Sequence, residues 1–242
     1  MQYRLMEIRS LPWDSDFFGL PIGRVDLQTV GDAIELKKQQ ENLKQQFDLL
    51  YIFDPNNVGF SANGARLMDE KILYSKPCEP RKQFPEISFY KAAQPNEDLY
   101  RLALVSGGYS RFKLDERLPK GCYERLYTRW IENACPKNGT NKQILIYQDA
   151  QGTAKGMITI DHTGELGHIG LVAVDTDAQH QGVGGKIMST LDGYLFERGI
   201  IKTLEVPTQK ANTDACRWYE KNGFVLHSII PIYHWWLKIN MQ

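Results

Sequence analysis

The sequence predicts a protein of the α/β (α+β) class, in which helices and strands alternate along most of the chain. Residues 47–53 and 171–174 are short apolar runs rich in strand-forming side chains. Residues 143–148 and 155–161 have the pattern of two strands joined by a polar turn. Amphipathic patterns typical of helices separate these strands. A chain of 242 residues can form one large domain or two small ones.

The composition excludes several classes of protein. The 29 basic and 29 acidic side chains cancel, so no overall charge recruits nucleic acid or an anionic membrane. No run approaches the ~20 apolar residues of a membrane helix, and Pro12 interrupts a charged N-terminal segment unlike a signal peptide. The four cysteines and five histidines lack the spacing of common metal sites. We therefore expect a cytoplasmic protein without a metal, a nucleic-acid partner or a membrane partner.

The N-terminal part of the chain carries two helix-then-strand patterns. Residues 32–46 predict a surface helix and residues 47–53 a strand, and a second helix and strand are predicted over 62–68 and 71–75. Four prolines in residues 77–95 predict a linker. We therefore expect a smaller N-terminal α/β domain with its linker over residues 1–95, and a second domain over residues 96–242.

Two aromatic segments are candidates for contact with a substrate. Residues 13–19 predict a turn whose rings, Phe17 and Phe18, dock as a packed loop or form a lip beside the substrate. After a helix predicted over 97–105, two glycines precede Tyr109 and Arg111, which offer a stacking ring and a planar cation. This second segment is either a functional loop or a turn that caps the helix.

The rest of the chain predicts a helix over 122–134, which ends before Pro136, and three consecutive strands over 143–148, 155–161 and 164–174. Residues 171–174 are apolar on both faces, as in a central strand covered on both sides. A glycine-containing turn, Gln179 to Lys186, then leads into a helix that stops at Gly199. Unpaired N–H groups at such a helix start favour a phosphate.

Two common phosphate-binding motifs do not match this turn. A P-loop requires Ser or Thr at position 187 and a glycine at position 180, where the chain has Ile187 and His180. A dinucleotide fingerprint requires a third glycine, again at position 187. Glu205 stands near the position of a ribose-binding acid, so a nucleotide-binding Rossmann fold remains as an alternative.

Two motifs in the same stretch resemble a known superfamily. Gln179-x-x-Gly182-x-Gly184 and Asn212-x-x-Ala215-x-x-x-Tyr219-Glu220-Lys221-x-Gly223-Phe224 are similar to two motifs of the GNAT superfamily of acetyl-CoA-dependent N-acetyltransferases, in that superfamily's order. The resemblance covers about residues 142–237. It implies the GNAT fold, with a mixed, mostly antiparallel sheet that splays open after residue 174 at the cofactor site. It also implies acetyl-CoA as the cofactor.

The resemblance implies a role for each matching residue. Tyr219 would protonate the departing thiolate of coenzyme A, unless its ring only packs in the core. The proton acceptor is one of four candidates, Glu165, Glu205, His168 and His234, or a chain of water molecules, and we take Glu205 as the catalytic residue. The resemblance implies these cofactor-binding residues: Val172, Ala173, Val174, Gln179, Gln181, Gly182, Val183, Gly184, Gly185, Lys186, Asn212 and Tyr219.

Shorter matches, in residues 13–19, 110–112, 127–131 and 233–236, resemble the nucleotide-sugar branch of the superfamily. This resemblance implies acetylation of a dTDP-4-amino-4,6-dideoxyhexose for surface polysaccharide biosynthesis, in a protein that could form a homodimer. The substrate-binding residues would be Phe17, Phe18, Tyr109, Arg111 and His234. Three alternatives remain: an acetyltransferase of a peptide or small amine, a non-catalytic acyl-CoA sensor, and a module that binds only an inorganic anion.

Overall fold

The structure is a computed structural model that describes residues 6–137 and 139–238. Its central feature is one ten-stranded sheet in the order β1-β2-β3-β10-β4-β9-β8-β7-β6-β5. Two neighbouring pairs, β2 with β3 and β8 with β9, are parallel, and the others are antiparallel. The predicted mixed, mostly antiparallel sheet is therefore confirmed. The strands are β1 Ile8–Ser10, β2 Ile22–Asp26, β3 Leu49–Phe53, β4 Ala65–Pro77, β5 Ile87–Phe89, β6 Gln143–Gln148, β7 Ala154–Thr163, β8 Leu166–Val174, β9 Thr203–Gln209 and β10 Val225–Trp236.

Helices cover both faces of this sheet. They are α1 Pro12–Phe18, α2 Val30–Lys38, α3 Gln40–Gln46, α4 Glu97–Ser106, α5 Arg111–Leu114, α6 Cys122–Ala134, α7 Val183–Arg198 and α8 Thr213–Lys221. Because successive side chains of a strand point to opposite faces, β7 directs Met157 into the core under α4 and α6, and Ile158 into the core under α7. A third core packs α2 and α3 against β2 and β3. Within residues 6–137 and 139–238, none of these helices is long and apolar enough to cross a membrane.

The two parts of the chain share the sheet. Strand β4, from the N-terminal part, lies between β9 and β10, and β10, from the C-terminal part, lies between β3 and β4. The backbone hydrogen bonds of the sheet therefore cross the predicted boundary at residues 95 and 96. That boundary stays a prediction about how the chain divides.

Three local predictions in the N-terminal part are wrong. Residues 62–68 are not a helix, because β4 begins at Ala65 and pairs there with Trp235 of β10. The predicted linker contains β5, which pairs with β6 at the end of the sheet. The predicted turn at residues 13–19 is mostly helix α1, which starts with Pro12 in its first turn and ends at Gly19 with φ of 70°. Long-range pairing and capping outweigh the local patterns at these places.

The sheet opens between the parallel strands β8 and β9. They pair at three positions, from Leu166 opposite Thr203 to His168 opposite Glu205, and then separate. A β-bulge follows on β8, where Gly170 and Leu171 together face the single residue Thr159 of β7. The opening therefore begins after residue 168, which corrects the predicted position after residue 174. The bulge bends β8 away from β9 before β8 reaches residue 174, where the opening was predicted.

Candidate active site

A cavity of about 1280 Å³ occupies this opening. On one side it is lined by the start of α7 and by α8, and on the other by the loop between α4 and α5 and by α6. Because these helices cover opposite faces of the sheet, the cavity passes through the sheet between β8 and β9. Two molecules that approach from opposite faces can meet inside it.

The exposed edge of β8 directs backbone groups into the cavity. The N–H groups of Leu171 and Asp175 donate to acceptors on β7, at 2.7 and 2.8 Å. Alternate residues of an antiparallel strand direct their N–H groups to opposite edges, so those of Val172 and Val174 point away from β7 and toward β9. The Val174 carbonyl accepts a hydrogen bond from Gln179 Nε2 at 3.0 Å. An extended chain lying in the opening can pair with this edge as an added strand.

The start of α7 offers unpaired backbone donors to the cavity. Its cap, Gly182, has φ of 78°, and the first turn holds no acidic residue and receives no side-chain cap. The N–H of Lys186 donates to the Gly182 carbonyl at 3.0 Å, so the N–H groups before it precede the first helical hydrogen bond. His180, which precedes this turn, has φ of 61°. Together these N–H groups and the helix dipole form a binding site for a phosphate.

Most of the predicted cofactor-binding residues line the cavity: Val172, Ala173, Val174, Gln179, Gly182, Val183, Gly184, Gly185, Asn212 and Tyr219. The side chains of the other two have partners elsewhere. Gln181 Nε2 donates to the Asp177 carbonyl at 2.7 Å, and Lys186 Nζ lies 2.8 Å from Glu86 Oε1. At these two positions only backbone groups are free to contribute to the site.

Helix α8 supplies two polar groups to the cavity. Asn212 caps this helix, because its Oδ1 accepts the N–H of Ala215 at 3.2 Å, and its Nδ2 is left as a donor. Tyr219 is almost fully buried, and its ring packs against those of Tyr74 and Phe224 at 5.9 and 5.5 Å. Burial raises the pKa of Tyr219 well above its ordinary value, so the phenol stays protonated at neutral pH. Tyr219 is thus a core residue that also lines the cavity.

The loop between α4 and α5 forms the other end of the cavity, with Tyr109 and Arg111 in its wall. It also caps helices, since Gly107 ends α4 and the Ser110 hydroxyl accepts the Phe112 N–H at the start of α5. The two predicted alternatives, a functional loop and a capping turn, therefore describe the same residues. The guanidinium of Arg111 lies over the rings of Tyr51 and Phe112, 4.3 and 4.4 Å from their centroids.

His234 supports Arg111 from behind the cavity wall. Its Nδ1 hydrogen-bonds to Asp115 Oδ2 at 2.6 Å, and that oxygen also accepts Trp236 Nε1 at 2.8 Å. Burial lowers the pKa of His234 to about 4 and outweighs the opposite effect of Asp115. The imidazole is therefore neutral at neutral pH, with its proton on Nδ1, and its Nε2 accepts Arg111 Nη1 at 3.3 Å.

Phe17 and Phe18 also stand behind the cavity wall. Phe18 stacks on Phe112 with centroids 5.6 Å apart, and Phe17 stacks on Trp13 at 5.1 Å. The two phenylalanines meet edge to face at 5.0 Å. Neither ring is among the residues that line the cavity, so the position of Phe18 supports Phe112 and not direct contact with a substrate.

The sequence analysis missed several charged residues of the cavity, two of which are on β4. Asp69 and Lys71, on β4, line it near Arg111. Burial raises the pKa of Asp69 to about 6 and lowers that of Lys71. Glu205, the predicted catalytic carboxylate, is on β9 two residues before Pro207 and does not line the cavity. The error at residues 62–68 concealed Asp69, because residues 69–74 are three charged side chains followed by three apolar ones, without the alternation that marks a strand.

Known proteins resemble this chain in sequence or in fold. The acetyltransferase (GNAT) family model matches residues 109–224. A GCN5-related N-acetyltransferase from Sphaerobacter thermophilus has a TM-score of 0.60 and 14% identity over 97% of this chain and 78% of its own. A functionally unknown conserved protein from Staphylococcus epidermidis has a TM-score of 0.60 and 16% identity over 94% of this chain and 91% of its own.

A tandem GNAT protein from the clavulanic acid biosynthesis pathway has a TM-score of 0.55 and 14% identity over 92% of this chain and 77% of its own. At these identities the structural likeness concerns the fold. No curated protein matches the chain by sequence. The family match contains the turn before α7 and helix α8, which hold the cavity's backbone donors and Tyr219. Residues 109–224 are therefore similar to the acetyltransferase (GNAT) family, whose cofactor is acetyl-CoA.

Proposed function

We propose that this enzyme transfers the acetyl group of acetyl-CoA to the amine of a nucleotide-linked amino sugar of the dTDP-4-amino-4,6-dideoxyhexose type. The observation that carries the proposal is the cavity that passes through the sheet. One end has the backbone donors of α7, and the other has aromatic rings beside Arg111. A cofactor and a polar ring-bearing acceptor can therefore enter from opposite faces and meet at the gap between β8 and β9.

The cofactor lies along groups that the cavity leaves available. The N–H groups of residues 182–185 hold its pyrophosphate at the start of α7. Its pantetheine arm pairs with Val172 and Val174 on the free edge of β8. Asn212 Nδ2 donates to an amide carbonyl of the same arm, while Oδ1 stays on the helix cap. This path brings the thioester to the opening in the sheet.

The reaction is a direct transfer between the amine and the thioester. Bound acetyl-CoA would supply the acetyl thioester, and attack by the neutral amine would form the C–N bond as the C–S bond to coenzyme A breaks. The backbone N–H groups at the edge of β8 stabilise the oxyanion. Tyr219 donates its phenolic proton to the departing thiolate. The amine proton passes to Asp69, which we assign as acceptor in place of Glu205 because Asp69 lines the cavity.

The far end of the cavity suits a sugar linked to a nucleotide. Tyr109, Phe112 and Trp130 line this end of the cavity. Aromatic rings stack on the apolar side of a sugar ring or on a nucleobase. Arg111 offers a planar cation to a phosphate. The rings of Phe17 and Phe18 fix this wall from behind.

An acetylation assay tests the proposal. The enzyme and acetyl-CoA are incubated separately with a dTDP-4-amino-4,6-dideoxyhexose, an aminoglycoside and a peptide with a free N-terminus, and free thiol and acetylated product are measured. We expect product with the nucleotide sugar. Product from the peptide alone contradicts the sugar assignment. Tight binding of acetyl-CoA without transfer to any acceptor supports the sensor alternative, and no affinity for coenzyme A supports the anion-binding alternative.

A further inference from the structure

The acceptor end of the cavity contains opposite charges that do not pair with each other. Arg111 and Lys71 are its cations, and Asp14 and Asp69 are its carboxylates. Among the described residues, none of these four side chains takes part in an ion pair within 4.0 Å, although ion pairs are frequent elsewhere in the protein. Enclosed charges are costly without a partner, so this arrangement suits a ligand that supplies both countercharges.

Arg111 is the centre of the positive side. Its guanidinium rests on the rings of Tyr51 and Phe112 and donates to the neutral His234. Asp115, the carboxylate on the other side of His234, is already bound by His234, Trp236 and Arg117. Of the five N–H donors of Arg111, a single one has a recorded partner in the described parts of the chain. The remaining donors form a planar fork suited to two oxygens of a phosphate or carboxylate.

Asp69 is the centre of the negative side. Its carboxylate makes no recorded hydrogen bond within residues 6–137 and 139–238, and it lines the same cavity. The charged or titratable groups around it are Lys71 and Glu70 from β4, Arg111 from α5 and Tyr127 from α6. Asp14 from α1 and Arg24 from β2 act on Arg111 from further away. At neutral pH this carboxylate is ionised and can bind an ammonium group.

We propose that the acceptor is an amine that also carries an anionic group, with Arg111 binding the anion and Asp69 binding the ammonium before transfer. His234 is a positioning residue, since it holds the guanidinium in place without lining the cavity. The inference rests on the proposed function in one respect, that this end of the cavity receives the acceptor. It names the chemistry of the acceptor without depending on a sugar or a nucleotide.

Anion binding is tested on the full chain saturated with coenzyme A, which occupies the phosphate site at α7. Inorganic phosphate and, separately, acetate are titrated by calorimetry, and the two anions distinguish a phosphate from a carboxylate. We expect the wild type to bind at least one of them. Arg111→Gln is expected to weaken that binding about tenfold or more, since a hydrogen bond to a charged group is lost. Unchanged affinity for coenzyme A shows that the variant is folded.

A matched control is Arg217→Gln. Arg217 also lines the cavity, but its side chain is 79% exposed, so its charge is solvated. We expect this variant to bind the anion as the wild type does. If Arg111→Gln does not fold, Arg111→Lys serves, because it keeps the charge and loses the planar fork. Absence of anion binding by the wild type, or equal binding by the wild type and the folded Arg111 variant, overturns the proposal.

The ammonium site is tested with phosphoethanolamine in the same assay. We expect the wild type to bind phosphoethanolamine more tightly than inorganic phosphate, because the second charge meets Asp69. Asp69→Asn is expected to abolish that difference and to keep the affinity for inorganic phosphate. The difference in affinity between phosphoethanolamine and inorganic phosphate is also expected to shrink as the pH drops through about 6, because Asp69 becomes protonated there. Equal binding of both ligands by the wild type contradicts the assignment of Asp69.

These outcomes are independent of the sugar assignment. If the wild type binds anions through Arg111 but does not acetylate the dTDP-amino sugar, the inference stands and the proposed acceptor is wrong. If the dTDP-amino sugar is acetylated and Arg111→Gln leaves both its KM and anion binding unchanged, the proposed function stands and the inference is wrong.

Discussion

At the scale of single residues, Tyr219 combines burial with access to the cavity. Its hydroxyl makes no recorded hydrogen bond within the described parts of the chain, while its ring is packed by Tyr74, Trp218 and Phe224. We expect Tyr219→Phe to lower kcat by about 10²–10⁴-fold, because the departing thiolate loses its proton donor. The melting temperature and the affinity for coenzyme A should change little, since the ring remains.

Tyr74→Phe is the matched control for this measurement. The Tyr74 ring lies 5.9 Å from that of Tyr219, but its hydroxyl donates to Glu220 at 2.7 Å and Tyr74 does not line the cavity. Its kcat should stay close to that of the wild type. Equal turnover of Tyr219→Phe and the wild type in steady-state assays contradicts the proton-donor role.

The pH dependence of the rate distinguishes the two candidate proton acceptors. Burial raises the pKa of Asp69 to about 6, and its ionised form is the one that accepts a proton. We therefore expect kcat/KM to fall as the pH drops through about 6 and to level off above it. Asp69→Asn should lower the rate and remove this limb, whereas Glu205→Gln should keep it. If the fall in kcat/KM at low pH disappears in Glu205→Gln and persists in Asp69→Asn, Glu205 is the proton acceptor and Asp69 is not.

The sequence was sufficient to predict the residues that contribute backbone groups to the cavity. Glycines in a strand-turn-helix context indicate exposed N–H groups, and Gly182 and Gly184 line the cavity. The position of Asp69 could not be predicted from the sequence. Its strand is defined by pairing with β10, where its partner Ile232 lies 163 residues further along the chain. The sequence predicted Phe17, Phe18 and His234 as substrate-binding residues, whereas the packing places them behind the cavity wall.

At the scale of elements, helix α7 has a glycine with positive φ at each end. Gly182 and Gly199 have φ of 78° and 66°, and an added Cβ at either meets no atom within 4 Å. Alanine at either position should cost about 1–2 kcal/mol in the free energy of unfolding, the cost of left-handed backbone for an L-residue. Only Gly182→Ala should also raise the KM for acetyl-CoA, because it disturbs the N–H groups at the start of the helix.

Chemical denaturation and steady-state kinetics of the two variants check this prediction. Gly199→Ala serves as the control, since it carries the same backbone strain at the end of α7 remote from the phosphate site. Equal KM values for acetyl-CoA in both variants would count against the cofactor site at α7.

At the scale of the whole molecule, a buried ion pair ties the two parts of the chain together. Lys76 on β4 pairs with Asp192 on α7, and their side chains are 1% and 2% exposed. Asp192 also accepts the Glu79 N–H at 3.2 Å. Lys76→Met should lower the free energy of unfolding by about 3–5 kcal/mol, because it leaves a buried carboxylate without its partner.

The double variant Lys76→Met with Asp192→Leu should recover most of this loss, since apolar side chains of similar size replace the pair. Urea denaturation of the single and double variants measures the coupling. If Lys76→Met is as stable as the wild type, the loss of the Lys76–Asp192 ion pair does not destabilise the protein and the prediction is wrong.

The predicted division at residues 95 and 96 is also tested at this scale. A fragment of residues 96–242 lacks β4, so β9 and β10 lose the strand that lies between them. We expect this fragment not to fold alone and to become soluble when residues 1–95 are co-expressed. Circular dichroism and coenzyme A binding measure the outcome. A fragment that folds and binds coenzyme A by itself supports the predicted boundary.

Local sequence patterns predicted the fold class, most strands and helices of the C-terminal part, and the resemblance to acetyl-CoA-dependent acetyltransferases. These features depend on neighbours in the chain: the apolar run of β7, the amphipathic face of α6, and the glycines before α7. Long-range contacts account for the insertion of β4 between β9 and β10, the opening after residue 168, and the presence of Asp69 and Arg111 in the wall of one cavity. Strand pairing between distant residues and burial of charge create these features, and no local pattern encodes them.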